Sequence, residues 1–286
     1  GNTVSESQAG QLFIVATPIG NLNDFSARAI EVLKSVDVIA AEDTRHSKYL
    51  LQHYAIQTPS ISLHEHNEQQ RSDALCQRLL GGESVALISD AGTPLISDPG
   101  YRLVTTVRGA GIRVTPIPGC CALITALSAS GLASDRFSFE GFLPAKSSAR
   151  KQFMESLKSD TRTLIFYESP RRLLSALEEA VLIFGEQRRA CLARELTKLH
   201  ETIETRSLTE LLAWVKADDN QQRGECVLLI EGSQSETTAD EQEVRRLLQI
   251  LLTELPVKKA AAMVANITGG SKNEAYQLAL KLQQKT

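Results

Sequence analysis

Over the first 130 residues, short runs of aliphatic and β-branched residues alternate with stretches whose apolar residues recur three to four apart. No other feature constrains the chain as much. The runs at 12–16, 37–41, 60–63, 85–89 and 112–117 predict strands. Between them, Ile30, Leu33 and Val36 share one helical face, and Leu75 and Leu79 share another. A strand–helix alternation of this kind predicts an α/β fold with a largely parallel sheet covered by helices. In such sheets ligands lie beyond the carboxyl ends of the strands, so the residues just after each strand carry the functional expectation.

A second α/β segment is expected over 135–232, with strands at 137–140, 163–167, 190–193 and 226–230 and helices at 149–157, 171–183 and 208–216. Gly141 and Pro144 mark 135–148 as a hinge, and the polar, acidic stretch 233–242 reads as a linker. From 243 to 286 the pattern is helical. Ala260, Ala261, Val264 and Ile267 recur at helical spacing, Thr268-Gly269-Gly270 breaks it, and Ser271 with Glu274 forms a capping box. Ala275, Leu278, Ala279 and Leu282 then continue on one face, which is helix–turn–helix arithmetic. The expected organisation is therefore two α/β domains, 11–134 and 135–232, followed by a small helical segment at 243–286.

Composition narrows the function classes. With 42% hydrophobic and 23% charged residues among 286, the chain has the apolar content for real cores. Its formal net charge of -3 means that any nucleic-acid site is a local basic patch on a mildly acidic body. Five cysteines, with no CxxC pair, fit reduced thiols in a cytosol rather than a disulfide framework. No apolar run has the length of a membrane span, and residues 1–10 show none of the regions of a signal peptide. A cytoplasmic protein is expected.

The first strand ends in Thr17-Pro18-Ile19-Gly20, with one glycine where a dinucleotide fingerprint needs three, and GxxxxGK[ST] occurs nowhere. The second runs into Glu42-Asp43-Thr44-Arg45-His46, which is at once a dense polar set and an ordinary capped helix start. The third ends in His64-Glu65-His66. An HxH of this kind is half of a metal site, but the one later histidine is His200 and the cysteines are badly spaced, so no metal is expected. A metal-dependent hydrolase built on His64 and His66 remains an alternative. The strongest signal is Ser89 to Gly100, SDAGTPLISDPG, where glycines permit close backbone approach and prolines stiffen the loop. Asp90 and Asp98 stand there as acceptors for ribose hydroxyls or an ammonium. The fifth strand ends in Pro118-Gly119-Cys120-Cys121, followed by a helix start of small residues. In the second segment Phe166-Tyr167-Glu168-Ser169 and Ala193-Arg194-Glu195 end strands at one topological end, where a cleft between two sheets would bring them toward Asp90 and Gly92.

In chain order, the stretches VATPIGNL, AEDTRHS, LHEHNE, SDAGTPLISDPG, GFLPAKSSAR, FYESPRR and ARELTKLHET resemble the tetrapyrrole-methylase-like (class III) methyltransferases. The resemblance covers residues 12–232, with a similar helical tail. It is strongest to the branch that methylates a cytidine ribose of small-subunit ribosomal RNA, near the decoding centre. The resemblance implies two α/β domains with S-adenosyl-L-methionine in the cleft between them. It maps cofactor contacts onto Asp90, Ala91, Gly92 and Thr93, with Pro18 and Ile96, onto Gly119, Cys120, Cys121 and Ala122, and onto Tyr167, Ala193 and Arg194. Cys120 stands where members often carry proline or serine, so what carries over there is the backbone contact.

A ribose hydroxyl is a poor nucleophile and needs a proton acceptor. Asp43 or Glu42 is expected to serve, with Arg45 orienting the acceptor or its phosphate. Lys146, Arg150, Arg171 and Arg172 are expected on RNA phosphates, with Lys258, Lys259 and Lys272 on the tail. The resemblance further implies a homodimer and an assembled or nearly assembled small subunit as substrate. A tetrapyrrole-precursor methyltransferase of the same superfamily is the nearest rival, and a non-catalytic RNA-binding module is another.

Overall fold

The computed structural model describes residues 10–234 and 236–284. The first sheet is built from β1 (Leu12–Val15), β2 (Val38–Ala41), β3 (Ser60–Ser62), β4 (Val85–Ile88) and β5 (Val114–Ile117), in the order β3-β2-β4-β1-β5. All its pairings are parallel. β2 and β4 are buried at every residue because helices cover both faces, which is why they read as continuous apolar runs. Val85 and Leu87 join one core with α3 (Glu68–Leu80) and α4 (Tyr101–Gly109), while Ala86 and Ile88 join another with α1 (Ala27–Ser35) and α2 (Thr44–His53). β1 and β4 are neighbours, yet the chain leaving β1 crosses to β2 on one side and the chain leaving β4 crosses to β5 on the other. That reversal opens a crevice at their carboxyl ends.

The second sheet contains β6 (Phe137–Phe142), β7 (Thr163–Glu168), β8 (Arg189–Arg194), β9 (Thr202–Ser207) and β10 (Cys226–Ile230), in the order β6-β7-β10-β8-β9. Only β6 and β7 are parallel neighbours. β10 runs antiparallel to both β7 and β8, so the carboxyl ends of those two strands lie at one end of the sheet. One face is covered by α6 (Ser147–Leu157), α7 (Leu173–Phe184) and α8 (Leu208–Ala217). The other face is covered by α5 (Ala122–Ser130), whose Leu123, Ala126 and Leu127 pack on Ile165, Cys191, Ala193, Val227 and Leu229. The helix expected within the first segment is thus the partner of the second sheet. The turn from one sheet to the other comes at Gly131, ahead of the expected hinge, whose residues 137–142 form a strand.

Three expectations are corrected. Strand β9 escapes a reading by apolar pattern because its residues are polar apart from Ile203, and it survives as a half-buried edge. The expected linker at 233–242 gives way to α9 (Glu236–Leu251), whose Val244, Leu247, Leu248 and Leu251 supply a helical stripe against α10 (Val257–Thr268) and α11 (Lys272–Gln283). Arg150, expected on RNA, is 3% exposed. Its guanidinium donates to both Glu179 oxygens at 2.5 and 2.8 Å, and Ser147 Oγ donates to the same carboxylate at 2.6 Å. A fully enclosed, doubly bonded guanidinium has no surface left for a phosphate. It ties α6 to α7.

Removing one partner of a buried pair strands the other charge without solvent. Glu179→Ala is expected to lower the unfolding free energy by about 3–5 kcal/mol, measured by urea denaturation, and to leave the salt dependence of RNA binding as it was.

Candidate active site

The residues after β1 and β4 are held together at the crevice. Thr17 and Gly92 exchange backbone hydrogen bonds, each 3.1 Å. Gly92 has φ +84°, and a Cβ there would stand 3.2 Å from the Ile19 side chain, so a larger residue is opposed by both conformation and contact. Thr93 Oγ1 donates to the Cys120 carbonyl at 2.8 Å, which ties the same loop to the turn after β5. Tyr167, at the end of β7, accepts from the Leu123 amide at 3.2 Å and so fixes the start of α5 against the second sheet. Burial pushes its phenol up to about 12.

These ties leave a cleft of about 340 Å³ between the two sheets, in the range of small-molecule sites. Glu42, Asp90, Thr93, Ile96 and Asp98 line it from the first sheet, and Cys121 and Ala122 from the start of α5. Tyr167, Ala193, Leu196, Cys226 and Val227 line it from the second. Both rims carry non-glycine residues in the left-handed region: Leu95 (φ 74°) and Ser97 (φ 58°) on one side, Glu195 (φ 52°) and Thr197 (φ 69°) on the other. Each such residue costs roughly 1–3 kcal/mol, and such strain clusters at ligand clamps.

The polar centre of the cleft is a set of carboxylates. Asp98 is half-buried and its carboxyl is raised to about 7, first by burial and then by the charges of Glu42 and Asp90. Glu42 is raised too, again chiefly by burial and next by Asp90. A hydrogen bond joins Asp98 to Glu42, and it favours the protonated form of Asp98 and the ionised form of Glu42. Asp90 Oδ1 accepts from the Asp43 amide at 3.2 Å. The Asp43 side chain itself caps α2, accepting from the Arg45 amide at 2.9 Å, and that bond is the main cause of its lowered pKa. Arg45 lies 3.7 Å from Asp43 with its side chain 94% exposed.

Of the residues singled out from sequence, Glu42, Asp90, Ala91, Gly92, Thr93, Ile96, Cys121, Ala122, Tyr167 and Ala193 line the cleft. Pro18, Gly119 and Cys120 are outside the lining, and the Cys120 thiol donates to the Asp24 carbonyl at 3.1 Å. Arg194 is turned away. Its guanidinium is enclosed against Gln221 at 3.1 Å and the Arg223 carbonyl at 2.9 Å, holding the 3-10 turn Asp219–Gln222. Any cofactor contact at that position is therefore left to the backbone. Lys146, Arg171, Lys258, Lys259 and Lys272 are exposed, and Arg172 pairs with Glu168 at 3.3 Å. Sequence reasoning missed Phe142 and residues 225–227 of the lining, and assigned Lys198 no role there. Phe142 and Lys198 stand within quoted motifs, whereas 225–227 carry no local signal and enter through the central place of β10. His64 and His66 stack edge to face, and among the described residues no three metal-ligating side chains converge, which leaves the hydrolase alternative without a ligand set.

This fold and cleft place the chain in the tetrapyrrole methylase family: the family of tetrapyrrole (corrin/porphyrin) methylases matches residues 11–212. The RsmI C-terminal HTH domain matches residues 238–283. The chain is 57% identical over 280 residues to Ribosomal RNA small subunit methyltransferase I of Pseudomonas aeruginosa, covering 97% of this chain and 99% of the relative. It is 55% identical to the protein of that name from Escherichia coli O157:H7, covering 98% of each. A uroporphyrin-III C-methyl transferase from Thermus thermophilus, complexed with S-adenyl homocysteine, shares the fold at TM-score 0.54 and 16% identity, over 78% of this chain and 97% of that one.

The raised carboxyls set a direction for stability against pH. Asp98 titrates near 3.8 when unfolded and near 7 when folded, so the folded state resists its ionisation. Stability is therefore full below the unfolded value and falls as pH rises toward the folded one. Asp98→Asn is expected to flatten the decline of urea-unfolding free energy between about pH 4 and pH 7, and an unchanged slope would remove Asp98 from the buried cluster.

Proposed function

We propose that the protein transfers a methyl group from S-adenosyl-L-methionine to the ribose 2′-hydroxyl of a cytidine in small-subunit ribosomal RNA. The observation that carries this reading is near-full-length identity of 57% to a relative named for small-subunit ribosomal RNA methylation. The cleft fits the donor chemically. Glu42 and Asp90 offer a negative end for a sulfonium and an ammonium, and Tyr167, Ala193, Leu196 and Val227 offer an apolar end for a flat ring. When bound, S-adenosyl-L-methionine supplies an electrophilic methyl carbon on a sulfonium centre.

The protein's own part is positioning and proton handling. Glu42 takes the proton of the attacking hydroxyl as the new carbon–oxygen bond forms and the carbon–sulfur bond breaks. Asp98, protonated near neutrality, donates to Glu42 and holds it in the cleft. A base raised toward working pH suits this role better than Asp43, whose carboxylate is committed to the start of α2. Arg45, exposed in the first turn of α2, orients the substrate phosphate. Lys146, Arg171, Arg172 and the tail lysines Lys258, Lys259 and Lys272 supply further phosphate contacts. The resemblance supports a homodimer acting on an assembled or nearly assembled subunit, and free thiols at all five cysteines agree with a cytoplasmic setting. Among the described residues no helix is long and apolar enough to cross a membrane.

Labelled methyl is expected to pass from S-adenosyl-L-methionine to small subunits lacking native modification, and nuclease mapping should place it on a cytidine ribose. Donor binding with no transfer to RNA or subunits would redirect the search to tetrapyrroles. Glu42→Gln should cut kcat by about 10²–10⁴-fold with donor affinity kept, whereas Asp43→Asn retains the cap and should keep most activity. The reverse ranking would make Asp43 the base. Neutralising Lys146, Arg171, Lys258, Lys259 and Lys272 should reduce the salt slope of RNA binding by about 0.7–0.9 for each phosphate no longer neutralised.

A further inference from the structure

Phe142 is the one large aromatic side chain of the cleft lining that stands open, 55% exposed at the end of β6. Its direction is set by a backbone irregularity. The pairing of β6 with β7 slips between Phe139 and Gly141, and Gly141 has φ +73°, a left-handed residue that glycine accepts without strain. In an uninterrupted strand, side chains three residues apart point to opposite faces. The extra residue returns Phe142 to the face of Phe139. Both rings meet Tyr167 edge-on, with centroids 4.8 Å from Phe139 and 5.7 Å from Phe142. Tyr167 is in turn tied to the Leu123 amide, so the Phe142 ring rests on a fixed support.

The same bulge brings β6 against the first domain. A Cβ on Gly141 would lie 3.7 Å from Ser97 Oγ, and Ser97 precedes the Asp98 that hydrogen-bonds Glu42. A rigid, half-open aromatic face therefore stands beside the carboxylates assigned to the attacking hydroxyl. Packing alone does not account for it, since a ring this exposed gains little from burial. Proteins read single-stranded RNA by splaying out bases and stacking them on such rings.

We propose that Phe142 is the platform on which the nucleobase of the target nucleotide stacks, holding its ribose hydroxyl at Glu42. The inference rests on the RNA-methylation reading and adds a residue to it. Stacking orients the acceptor rather than activating it, so Phe142 acts in substrate binding, upstream of proton transfer. Because any base has a π face, the ring accepts the nucleotide without choosing its identity.

The test compares Phe142→Ala, Phe142→Leu and Phe142→Tyr on small subunits lacking native modification, with S-adenosylhomocysteine binding followed by calorimetry. Loss of a stacking ring weakens base binding by about 5- to 150-fold. Phe142→Ala and Phe142→Leu are expected to raise KM for subunits by about that factor, with S-adenosylhomocysteine affinity and thermal midpoint close to wild type, while Phe142→Tyr keeps wild-type KM. A leucine variant with wild-type KM would overturn the proposal, because apolar volume without an aromatic face would then suffice. Equal losses of S-adenosylhomocysteine and subunit binding would also overturn it, placing the ring on the cofactor. If the wild-type enzyme binds S-adenosylhomocysteine but transfers nothing to subunits, the RNA reading fails and the platform falls with it. Wild-type transfer unaffected by all three variants defeats the platform alone.

Discussion

The packing of α5 across the second sheet is the contact on which the site depends. The helix begins at the carboxyl end of β5 in one sheet and buries Leu123, Ala126 and Leu127 against the other. Apolar burial of this kind is worth roughly 1.5–3 kcal/mol per large side chain, and here it also sets the distance between two sheets. Because the Tyr167 hydroxyl accepts from the first turn of the same helix, the carboxyl ends of β5 and β7 are held at one place. The cleft is the space left between them.

Around that joint the chain accepts local costs. Leu95 and Ser97 on one rim, and Glu195 and Thr197 on the other, hold left-handed backbone that non-glycine residues avoid. Three carboxyl groups converge from β2 and the β4–α4 loop, and burial with mutual repulsion keeps Asp98 near 7. Neither arrangement stabilises the fold. Both are offset by cores of conventional composition, and the buried Arg150–Glu179 pair locks α6 to α7 on the outer face. Among the described residues, four of the five non-glycine residues in the left-handed region stand at the rims of this one cavity, Ala55 being the fifth, and the carboxyl cluster lies within it.

Legibility in the sequence followed burial. Strands β2 and β4 are enclosed on both faces and showed as unbroken apolar runs, and Asp43 and Ser271 announced their helices as caps. Elements whose reason lies in a partner were harder to see. β9 is polar and exists because β8 offers it an edge. The first part of α9 read as linker because its charged residues hid a stripe that appears only further along, at Val244, Leu247 and Leu248. Among site residues, those in glycine- and proline-stiffened loops after strands were legible because such loops have little other purpose. Arg150 was misread, and the direction of the Arg194 side chain was not legible, since a charge in sequence gives no sign of whether water or buried acceptors surround it.

By itself the sequence determined the α/β class, the strand ends from which a site would be built, the helical tail, and the family, because periodicity and turn chemistry are local properties and the motifs keep their order. Only the tertiary structure decided which residues share the cavity. It turned Glu42 inward and Asp43 onto a helix cap, joined Glu42 to Asp98 from a distant loop, gave α5 to the other sheet, and aimed Phe142 through a bulge that no spacing rule reveals. The physical reason is that desolvation, charge coupling and side-chain direction depend on neighbours in space, and those neighbours come from segments that share no local pattern.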